Sequence, residues 1–502
     1  MRAGVSTAVI IEMVMASVKR PIRVLFVGSE VWPYASAGGL SRVLSYLPKA
    51  LIKAGVDARI MMPKYGKIDS KKYKFKKIVD QMKVPTGNGE KSKDLICNVL
   101  SHQLPNSPIT YFLENQEYYE LRANVYAYAD DHVRWGLLQK GLWEFLKVYD
   151  DWTPDVIHCH DWHTGLIANY FYQDYQKIEK LEHIKTVFTI HNLGFQAPYD
   201  HRFVSELDFD AGKAELPDLM AGGFAKLNSM RRGIIYADQI TTVSPTYAKE
   251  ILTKDYGEGL DGLLKEVKFK FLGILNGLDY DDYDSVTDVN LLQNYRRGEW
   301  VSRQQNKLYL QEKFALKKGV EFPLFGISYR LTQQKGLGLI KEVIETVIQE
   351  FDAQLIVNGD GDAEFKTFFL QLSQKYPENV GINLSYDEKL PRQIYAGADF
   401  LLHPSKFEPC GIVQMEAMAY GCIPIVRNVG GLADTVTDEE NGFSFSEFKA
   451  NSLLVTLARA FEVFKHKEII TNIRMACMKA DFSWDVAAER YLRIYKNVIG
   501  IK

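Results

Sequence analysis

Residues 22–27 read Ile-Arg-Val-Leu-Phe-Val, a short apolar run rich in β-branched side chains that is typical of a buried parallel strand. A loop through Gly38-Gly39 follows, and apolar residues then recur at helical spacing over residues 43–54, up to Gly55. Residues 57–62 form the next predicted strand. Strand, helix and strand in this order predict a right-handed βαβ unit and therefore a parallel sheet.

The same alternation continues in two series along the chain. Predicted strands cover residues 156–160, 186–190 and 239–243, and then 324–328, 354–357, 380–384, 399–403 and 423–426. The Lys- and Tyr-rich stretch 64–94 breaks the rhythm, and we interpret it as an exposed insertion. The pattern predicts two successive doubly wound α/β domains, with the active site in a cleft beyond the carboxyl ends of their strands.

Composition excludes several classes of protein. The 502 residues carry a formal net charge of −2, which argues against nucleic-acid binding. Residues 1–20 lack the basic region and cleavage site of a signal peptide, and we interpret them as an N-terminal extension or as an over-long start with Met13 or Met15 as the alternative first residue. No later stretch has the ~20 apolar residues of a membrane span. Five scattered cysteines fit a reducing compartment, so we expect a cytoplasmic protein with no membrane partner.

Glycine pairs follow two of the predicted strands. Gly38 and Gly39 lie between the first strand and the first helix, where backbone N–H groups can approach a phosphate closely. Gly430 and Gly431 open a comparable loop in the second series. Each pair is equally compatible with an ordinary tight turn.

A pair of cations follows the first strand of the second series. Arg330 and Lys335 are five positions apart on a strand-to-helix loop, a spacing that suits a diphosphate. Arg binds phosphate oxygens bidentately and Lys acts as a point charge. Taken alone, the segment is equally compatible with an exposed loop.

Residues 405–411 read Ser-Lys-Phe-Glu-Pro-Cys-Gly and place Glu408 between an aromatic residue and two conformational constraints. A carboxylate held in this way can accept hydrogen bonds from sugar hydroxyls or stabilise developing positive charge. A helix-capping role is the structural alternative.

Several metal-like and cofactor-like patterns are present. His158, His160 and His163 alternate near a strand end, but no second ligand cluster accompanies them. Residues 279–281 read Asp-Tyr-Asp but lie in the presumed domain junction, and residues 359–361 read Gly-Asp-Gly without a third glycine. We therefore expect neither a metal site nor a nicotinamide cofactor.

From about residue 22 to the C-terminus, the ordered motifs resemble the bacterial glycogen synthase and plant starch synthase family of retaining glycosyltransferases. The most specific stretches are residues 158–163 (His-Cys-His-Asp-Trp-His), 188–192 (Phe-Thr-Ile-His-Asn), 242–248 (Thr-Val-Ser-Pro-Thr-Tyr-Ala), 275–277 (Leu-Asn-Gly), 330–336, 406–411 and 430–436. The resemblance implies the GT-B fold, in which two Rossmann-like, doubly wound parallel-sheet domains face each other. The predicted acceptor domain is 21–275, completed by a C-terminal helix that crosses back within 482–502, and the nucleotide-sugar domain is 276–481.

The resemblance also implies an activity and a set of site residues. Glucose would move from ADP-glucose to the non-reducing-end 4-hydroxyl of an α-1,4-glucan such as glycogen or starch, with retention and without a further cofactor. The implied catalytic residues are Glu408, Lys335, Arg330 and His191. The implied donor contacts are Gly38, Gly39, Asn276, Tyr386 against the adenine, Cys410, Gly411, Gly430 and Gly431, and the implied acceptor contacts are Glu30, Asp161 and Trp162.

Five positions depart from the family pattern. Ser36 replaces a Lys that reaches the donor phosphates, and Arg42 stands where Asp is usual. Lys406, Arg392 and Glu416 replace Arg, His and Tyr, respectively. Arg42 is a candidate to replace the charge missing at Ser36.

Two alternative functions remain open from the sequence. A GT-B enzyme that uses UDP-glucose or another acceptor would carry similar motifs. A catalytically weakened paralogue that binds glucan or nucleotide is favoured by the changes at Ser36 and Arg42 and opposed by the retained Lys335 and Glu408. A hydrolase is less favoured, because no carboxylate pair is visible.

Overall fold

The computed structural model describes residues 20–90, 92–202, 212–385 and 387–501, and the chain divides into two units. The first unit contains residues up to Thr189, Phe195–Ile240 and the chain from Ala488 onward. The second contains Ile190–Gly194 and Thr241–Ala487. The chain thus enters the second unit and returns to the first at its C-terminus.

The first unit is built on a mixed sheet with helices. Its strands are β1 (Arg23–Val27), β2 (Asp57–Pro63), β3 (Lys76–Pro85), β4 (Asp94–His102), β5 (Ile109–Glu114), β6 (Val156–His160), β7 (Lys185–Ile190) and β8 (Gln239–Thr242), the last of which ends in the second unit. Its helices are α1 (Leu40–Lys53), α2 (Asp131–Val148), α3 (Ile167–Tyr170) and α4 (Ser229–Tyr236). The strand order is β3-β4-β5-β2-β1-β6-β7-β8.

The predicted βαβ unit is present in this sheet. β1 pairs in parallel with both β2 and β6, and all of its residues after Arg23 are buried, as expected for a central strand of a parallel sheet. α1 connects β1 to β2 and buries Val43, Leu47 and Leu51, which share its apolar face. The stretch 64–94 is less irregular than predicted, because β3 lies within it and pairs antiparallel with β4. Because most side chains of β3 are charged or exposed, its sequence lacks the regular alternation of apolar and polar residues that indicates a strand.

The second unit is built on a parallel sheet of order β12-β11-β10-β13-β14-β15. The strands of this sheet are β10 (Leu324–Ser328), β11 (Gln354–Asn358), β12 (Val380–Asn383), β13 (Phe400–His403), β14 (Ile423–Arg427) and β15 (Phe443–Phe445). The unit also contains β9 (Phe271–Gly273), which lies outside this sheet and next to β8. Its helices are α5 (Pro245–Glu250), α6 (Asp261–Glu266), α7 (Trp300–Lys313), α8 (Leu337–Phe351), α9 (Ala363–Lys375), α10 (Leu390–Gly397), α11 (Val413–Ala419), α12 (Gly430–Thr435), α13 (Ala450–Lys465) and α14 (Lys467–Lys479). The last helix, α15 (Trp484–Val498), begins here and ends in the first unit.

The unit boundaries differ from those predicted at 275 and 482. The chain enters the second unit at Thr241, because α5 is fixed there by side-chain and backbone bonds. The backbone N–H and hydroxyl of Thr246 donate to the Asp434 carboxylate at 2.8 and 2.7 Å. The return occurs at Ala488, within α15.

Among the described residues, no helix is both long and apolar enough to cross a membrane. All five cysteines lie in the described part of the chain, are buried and form no disulfide.

Candidate active site

Glu408 lies in the loop between β13 and α11, and its carboxylate is the centre of a polar cluster. Among the described residues, Lys335 Nζ lies 2.5 Å from Glu408 Oε2, Ser405 Oγ lies 3.0 Å from it and His403 Nε2 lies 3.1 Å from it. Lys335 ends a short turn after β10, and His403 ends β13. The adjacent parallel strands β10 and β13 therefore bring residues about seventy positions apart to one sheet edge.

The cluster keeps the Glu408 carboxyl ionised. Glu408 is 6% exposed, and burial alone would raise the pKa of its carboxyl. The Lys335 ammonium and the hydrogen bond from His403 outweigh burial and hold the pKa of Glu408 well below its usual range. Burial, aided by the Lys335 charge, lowers the pKa of His403. Neutral His403 beside ionised Glu408 is therefore the state at physiological pH.

The loop that carries Glu408 is fixed on three sides by hydrogen bonds to its backbone. Gly431 N donates to Glu408 O at 3.1 Å, and Ser244 Oγ donates to Pro409 O at 2.7 Å. On the third side, Lys406 N donates to the backbone carbonyl of Gln334 at 2.8 Å. A carboxylate on a backbone held in this way is preorganised for binding charge or hydroxyl groups.

Glycines allow these segments to approach closely. A Cβ on Gly431 would lie 1.9 Å from Cys410 O, and one on Gly336, which has φ +73°, would lie 2.0 Å from Pro404 O. The N–H of Gly430 donates to Glu250 Oε1 at 3.0 Å. The pair Gly430-Gly431, predicted as a phosphate-binding loop, therefore has a packing function against the Glu408 loop.

We predict that Gly431→Ala greatly reduces transfer activity and lowers the thermal midpoint, because its Cβ displaces Cys410 and with it Glu408. Relief of such an overlap typically costs about 1–3 kcal/mol. Gly39→Ala is the matched control, since a Cβ there meets no atom within 4 Å. Its thermal midpoint should equal that of the parent. Calorimetry and an activity assay on both variants test this, and a Gly431→Ala protein with parental stability would contradict it.

The other predicted site residues of the second unit differ in their burial and in their surroundings. Asn276 is 5% exposed, and its Oδ1 has no hydrogen-bond partner among the described residues. Loss of water around the ring lowers the pKa of His191 to about 3, so the imidazole is neutral. Burial raises the pKa of the Cys410 thiol to about 12, and Gly411 has φ +69°. Arg330 is exposed at the start of its loop, and Tyr386 lies outside the described residues.

A cavity of about 180 Å³ in the second unit is lined by sequence neighbours of two predicted catalytic residues. Its lining includes Asn192, which follows His191, and Phe407, which precedes Glu408. Lys406, one of the departures from the family pattern, also lines it. The remaining lining residues are Gly194, Tyr247, Asp255, Tyr256, Glu258, Arg427 and Phe448.

In the first unit, Glu30 contacts the Gly38-Gly39 loop directly. The backbone N–H groups of Ala37 and Gly38 both donate to Glu30 Oε2, the latter at 2.9 Å, and Tyr126 donates to Glu30 Oε1 at 3.1 Å. Glu30 thus stabilises this loop, and its carboxylate already accepts the hydrogen bond of the Gly38 N–H. Gly39 is exposed.

The other predicted acceptor residues follow β6. Asp161 has φ +57°, a conformation that non-glycine residues rarely adopt and that is often found at functional sites. Trp162 is 7% exposed, and its backbone carbonyl accepts a hydrogen bond from Ser229 at 2.5 Å. Its ring lies 4.2 Å from that of His163. The structure therefore brings these residues together in a tightly packed turn.

The departures at Ser36, Arg392 and Glu416 have defined partners. Ser36 Oγ lies 2.8 Å from Ser41 Oγ. Arg392 forms ion pairs with Asp282 at 2.7 Å and Asp288 at 3.3 Å, and Glu416 accepts a hydrogen bond from Tyr395 at 3.1 Å.

His158, the first histidine of the metal-like pattern at residues 158–163, is held by hydroxyl groups. His158 Nδ1 lies 2.8 Å from Tyr495 Oη, and Nε2 lies 2.6 Å from Thr189 Oγ1. Across the residues that the structure describes, no group of three His, Cys, Asp or Glu side chains is arranged to hold a metal ion.

Sequence reasoning missed His403 and Ser405, both of which contact Glu408. His403 ends an apolar predicted strand and was interpreted only as part of it. The available signal was its position, because polar residues at the carboxyl ends of parallel strands face the ligand-binding edge.

Comparison with known proteins defines the class. Residues 23–266 match the family model for the starch synthase catalytic domain, and residues 310–472 match the model for glycosyl transferases group 1. With its two Rossmann-like α/β units, the protein is a glycosyltransferase of the GT-B class, as predicted.

Similar proteins extend over nearly the whole chain. A glycogen synthase of Clostridium novyi is 40% identical over 95% of this chain and 99% of its own length, and that of Lactobacillus acidophilus is 35% identical over 95% and 100%. The catalytic domain of starch synthase IV from Arabidopsis thaliana, bound to ADP and acarbose, matches with a TM-score of 0.83 and 30% identity over 96% of this chain and 100% of that one. The chain belongs to the glycogen synthase and starch synthase family, which confirms the resemblance found in the sequence.

Proposed function

We propose that this glycogen synthase-type enzyme transfers glucose from ADP-glucose to the non-reducing-end 4-hydroxyl of an α-1,4-glucan, with retention. The observation that carries the proposal is the ion pair between Nζ of the half-buried Lys335 and Oε2 of the buried Glu408, which lie 2.5 Å apart. In this proposal the cation binds the departing diphosphate and the carboxylate binds the sugar. The starch synthase structure noted above is bound to ADP and acarbose, which supports this donor and acceptor chemistry.

In the proposed reaction, Arg330 and Lys335 neutralise the leaving diphosphate, while Glu408 and the neutral His191 hold the glucose. The bond from the anomeric carbon to the phosphate oxygen breaks, and the acceptor oxygen forms a new bond on the same face. The proton of the acceptor hydroxyl moves to the leaving phosphate oxygen. A charged contact that strengthens as the diphosphate departs contributes directly to transition-state stabilisation.

Further residues of the two units are proposed to bind the substrates. Asn276 Oδ1, buried without a partner in the described structure, suits a sugar hydroxyl donor. Tyr386, Cys410, Gly411 and the glycine pairs Gly38-Gly39 and Gly430-Gly431 remain proposed donor contacts. Glu30, Asp161 and Trp162 remain proposed glucan contacts. To contact the glucan, the Glu30 carboxylate either gives up its hydrogen bond from the Gly38 N–H or contacts the glucan while that hydrogen bond is kept.

We also propose that the nucleotide-sugar and the glucan suffice, with no metal or redox cofactor. The charges of Arg330 and Lys335 provide the stabilisation that a divalent cation would otherwise supply. The absence of disulfides among the five cysteines supports a cytoplasmic setting.

The test is transfer of labelled glucose to glycogen from ADP-glucose and from UDP-glucose, with and without EDTA. We expect ADP-glucose to be preferred by at least tenfold and EDTA to have no effect. Preference for UDP-glucose would replace the proposed donor, and transfer from neither would favour a glucan-binding paralogue. Trapping a covalent glucosyl-enzyme would contradict the same-face mechanism.

Ser36→Lys tests the departure in the first loop, and a large gain in activity would show that no other cation replaces the missing Lys.

A further inference from the structure

Lys335 has two partners in the proposed function. Without a donor it pairs with Glu408, yet the diphosphate also needs its charge. An ammonium that turns toward a dianionic group weakens its bond to the carboxylate. Glu408 therefore needs other hydrogen-bond donors if it is to stay in place when the donor is bound.

His403 is placed to supply one of them. Its side chain is fully buried, and its Nε2 lies 3.1 Å from Glu408 Oε2 and 3.4 Å from Lys335 Nζ. The ring stacks on that of Tyr329, with centroids 5.0 Å apart and planes 25° apart. Tyr329 is fixed in turn, because its hydroxyl donates to Leu402 O at 2.7 Å.

The partners of the ring decide where its proton lies. A carboxylate only accepts hydrogen bonds, so the contact with Glu408 requires the proton on Nε2. His403 Nδ1 is buried and has no hydrogen-bond partner in the described structure. A proton on Nδ1 would leave a buried donor unsatisfied and would set the Nε2 lone pair against a carboxylate oxygen. Because Glu408 Oε2 is nearer to Nε2 than Lys335 Nζ is, at 3.1 against 3.4 Å, we assign the ring as the Nε2–H tautomer.

We propose that His403 is a positioning residue that holds the Glu408 carboxylate while Lys335 binds the donor's diphosphate. Ser405, whose hydroxyl donates to the same oxygen at 3.0 Å, assists it. His403 itself touches no substrate in this proposal, which rests on the proposed function of Glu408. It acts by keeping the sugar-binding carboxylate in one orientation through the catalytic cycle.

Two substitutions of similar length separate the hydrogen bond from the volume of the ring. His403→Gln retains an N–H donor that can reach Glu408, whereas His403→Met fills similar space without one. We expect His403→Met to lower kcat about tenfold or more, the effect of losing a hydrogen bond to a charged group. We expect His403→Gln to stay within about threefold of the parent, because its donor is preserved. The KM for glycogen should be unchanged in both, since the glucan does not contact this residue.

A surface residue and a double variant serve as controls. His466 contacts Glu462 at 3.4 Å on the exposed surface, so His466→Met should leave kcat unchanged. In a Glu408→Gln background, His403→Met should lower kcat no further, because His403 acts through Glu408.

The outcomes separate this proposal from the function on which it rests. Parental kcat in His403→Met would overturn it, and so would equal losses in the Met and Gln variants accompanied by equal drops in thermal midpoint. Parental kcat in Glu408→Gln would instead contradict the proposed function of Glu408. A loss in Glu408→Gln together with a Met-specific loss at His403 supports both.

Discussion

Glu408→Gln is expected to lower kcat by about 100- to 1,000-fold while the protein stays folded. The amide keeps the size of the side chain but removes the negative charge that faces Lys335 at 2.5 Å. It also places an NH₂ group or a weaker acceptor against the donors of His403 and Ser405. Developing positive charge on the sugar then has no carboxylate beside it. Steady-state transfer to glycogen, with circular dichroism and a thermal midpoint, measures both parts of the prediction.

Glu144 in the first unit provides a matched control for this variant. It is also a buried glutamate, forms an ion pair with Lys147 at 2.7 Å and accepts a hydrogen bond from Tyr175 at 2.7 Å. Glu144→Gln should change stability but leave kcat close to the parental value. If the two variants lose activity equally, loss of a buried, paired glutamate charge explains the effect and the assigned role of Glu408 is wrong.

The parallel core of the fold was predictable because its signal is local. Strands such as β1 and β10 are short apolar runs covered on both sides, and each is followed by a loop and an amphipathic helix. The β3–β4 hairpin was not predicted, since it lies at the sheet edge and its exposed charged residues obscure the period of two. The boundary at Thr241 also depends on a contact made at a distance, that of Thr246 with Asp434.

The sequence indicates the positions of the candidate site but not the partners of its side chains. Arg330, Lys335 and Glu408 were recognised from loop position and motif, and the structure places Lys335 against Glu408. Neither the bracing of Gly38 by Glu30 nor the capping of Gly430 by Glu250 follows from spacing, because each joins separate segments of chain. In both loops, a carboxylate of the protein occupies an amide that the sequence assigned to phosphate. Sequence patterns indicate which backbone N–H groups an anion can approach. Only the packed structure shows whether a carboxylate of the protein already accepts those hydrogen bonds.

Lys335→Met is expected to lower kcat by at least about 100-fold and to make the remaining activity depend on pH. In the parent, the Lys335 charge opposes burial and keeps the pKa of Glu408 below its usual range. Without that charge, burial raises the pKa, so Glu408 binds a proton as the pH falls. The residual kcat should therefore rise from pH 5.5 to pH 8, whereas Glu408 contributes no such slope in the parent. Initial rates of transfer at saturating donor across this range test the prediction.

Lys335→Arg separates the charge from the geometry of the ammonium. A guanidinium keeps the positive charge, so the pKa of Glu408 should stay low and the pH profile should stay flat. Its planar donors do not fit a position where one nitrogen lies within 2.5 Å of Glu408 and 3.4 Å of His403, so kcat should still fall. A flat profile in Lys335→Met would show that the hydrogen bonds from His403 and Ser405 alone keep Glu408 ionised. In that case the low pKa of Glu408 would not require the cation, and Lys335 would act on the diphosphate alone.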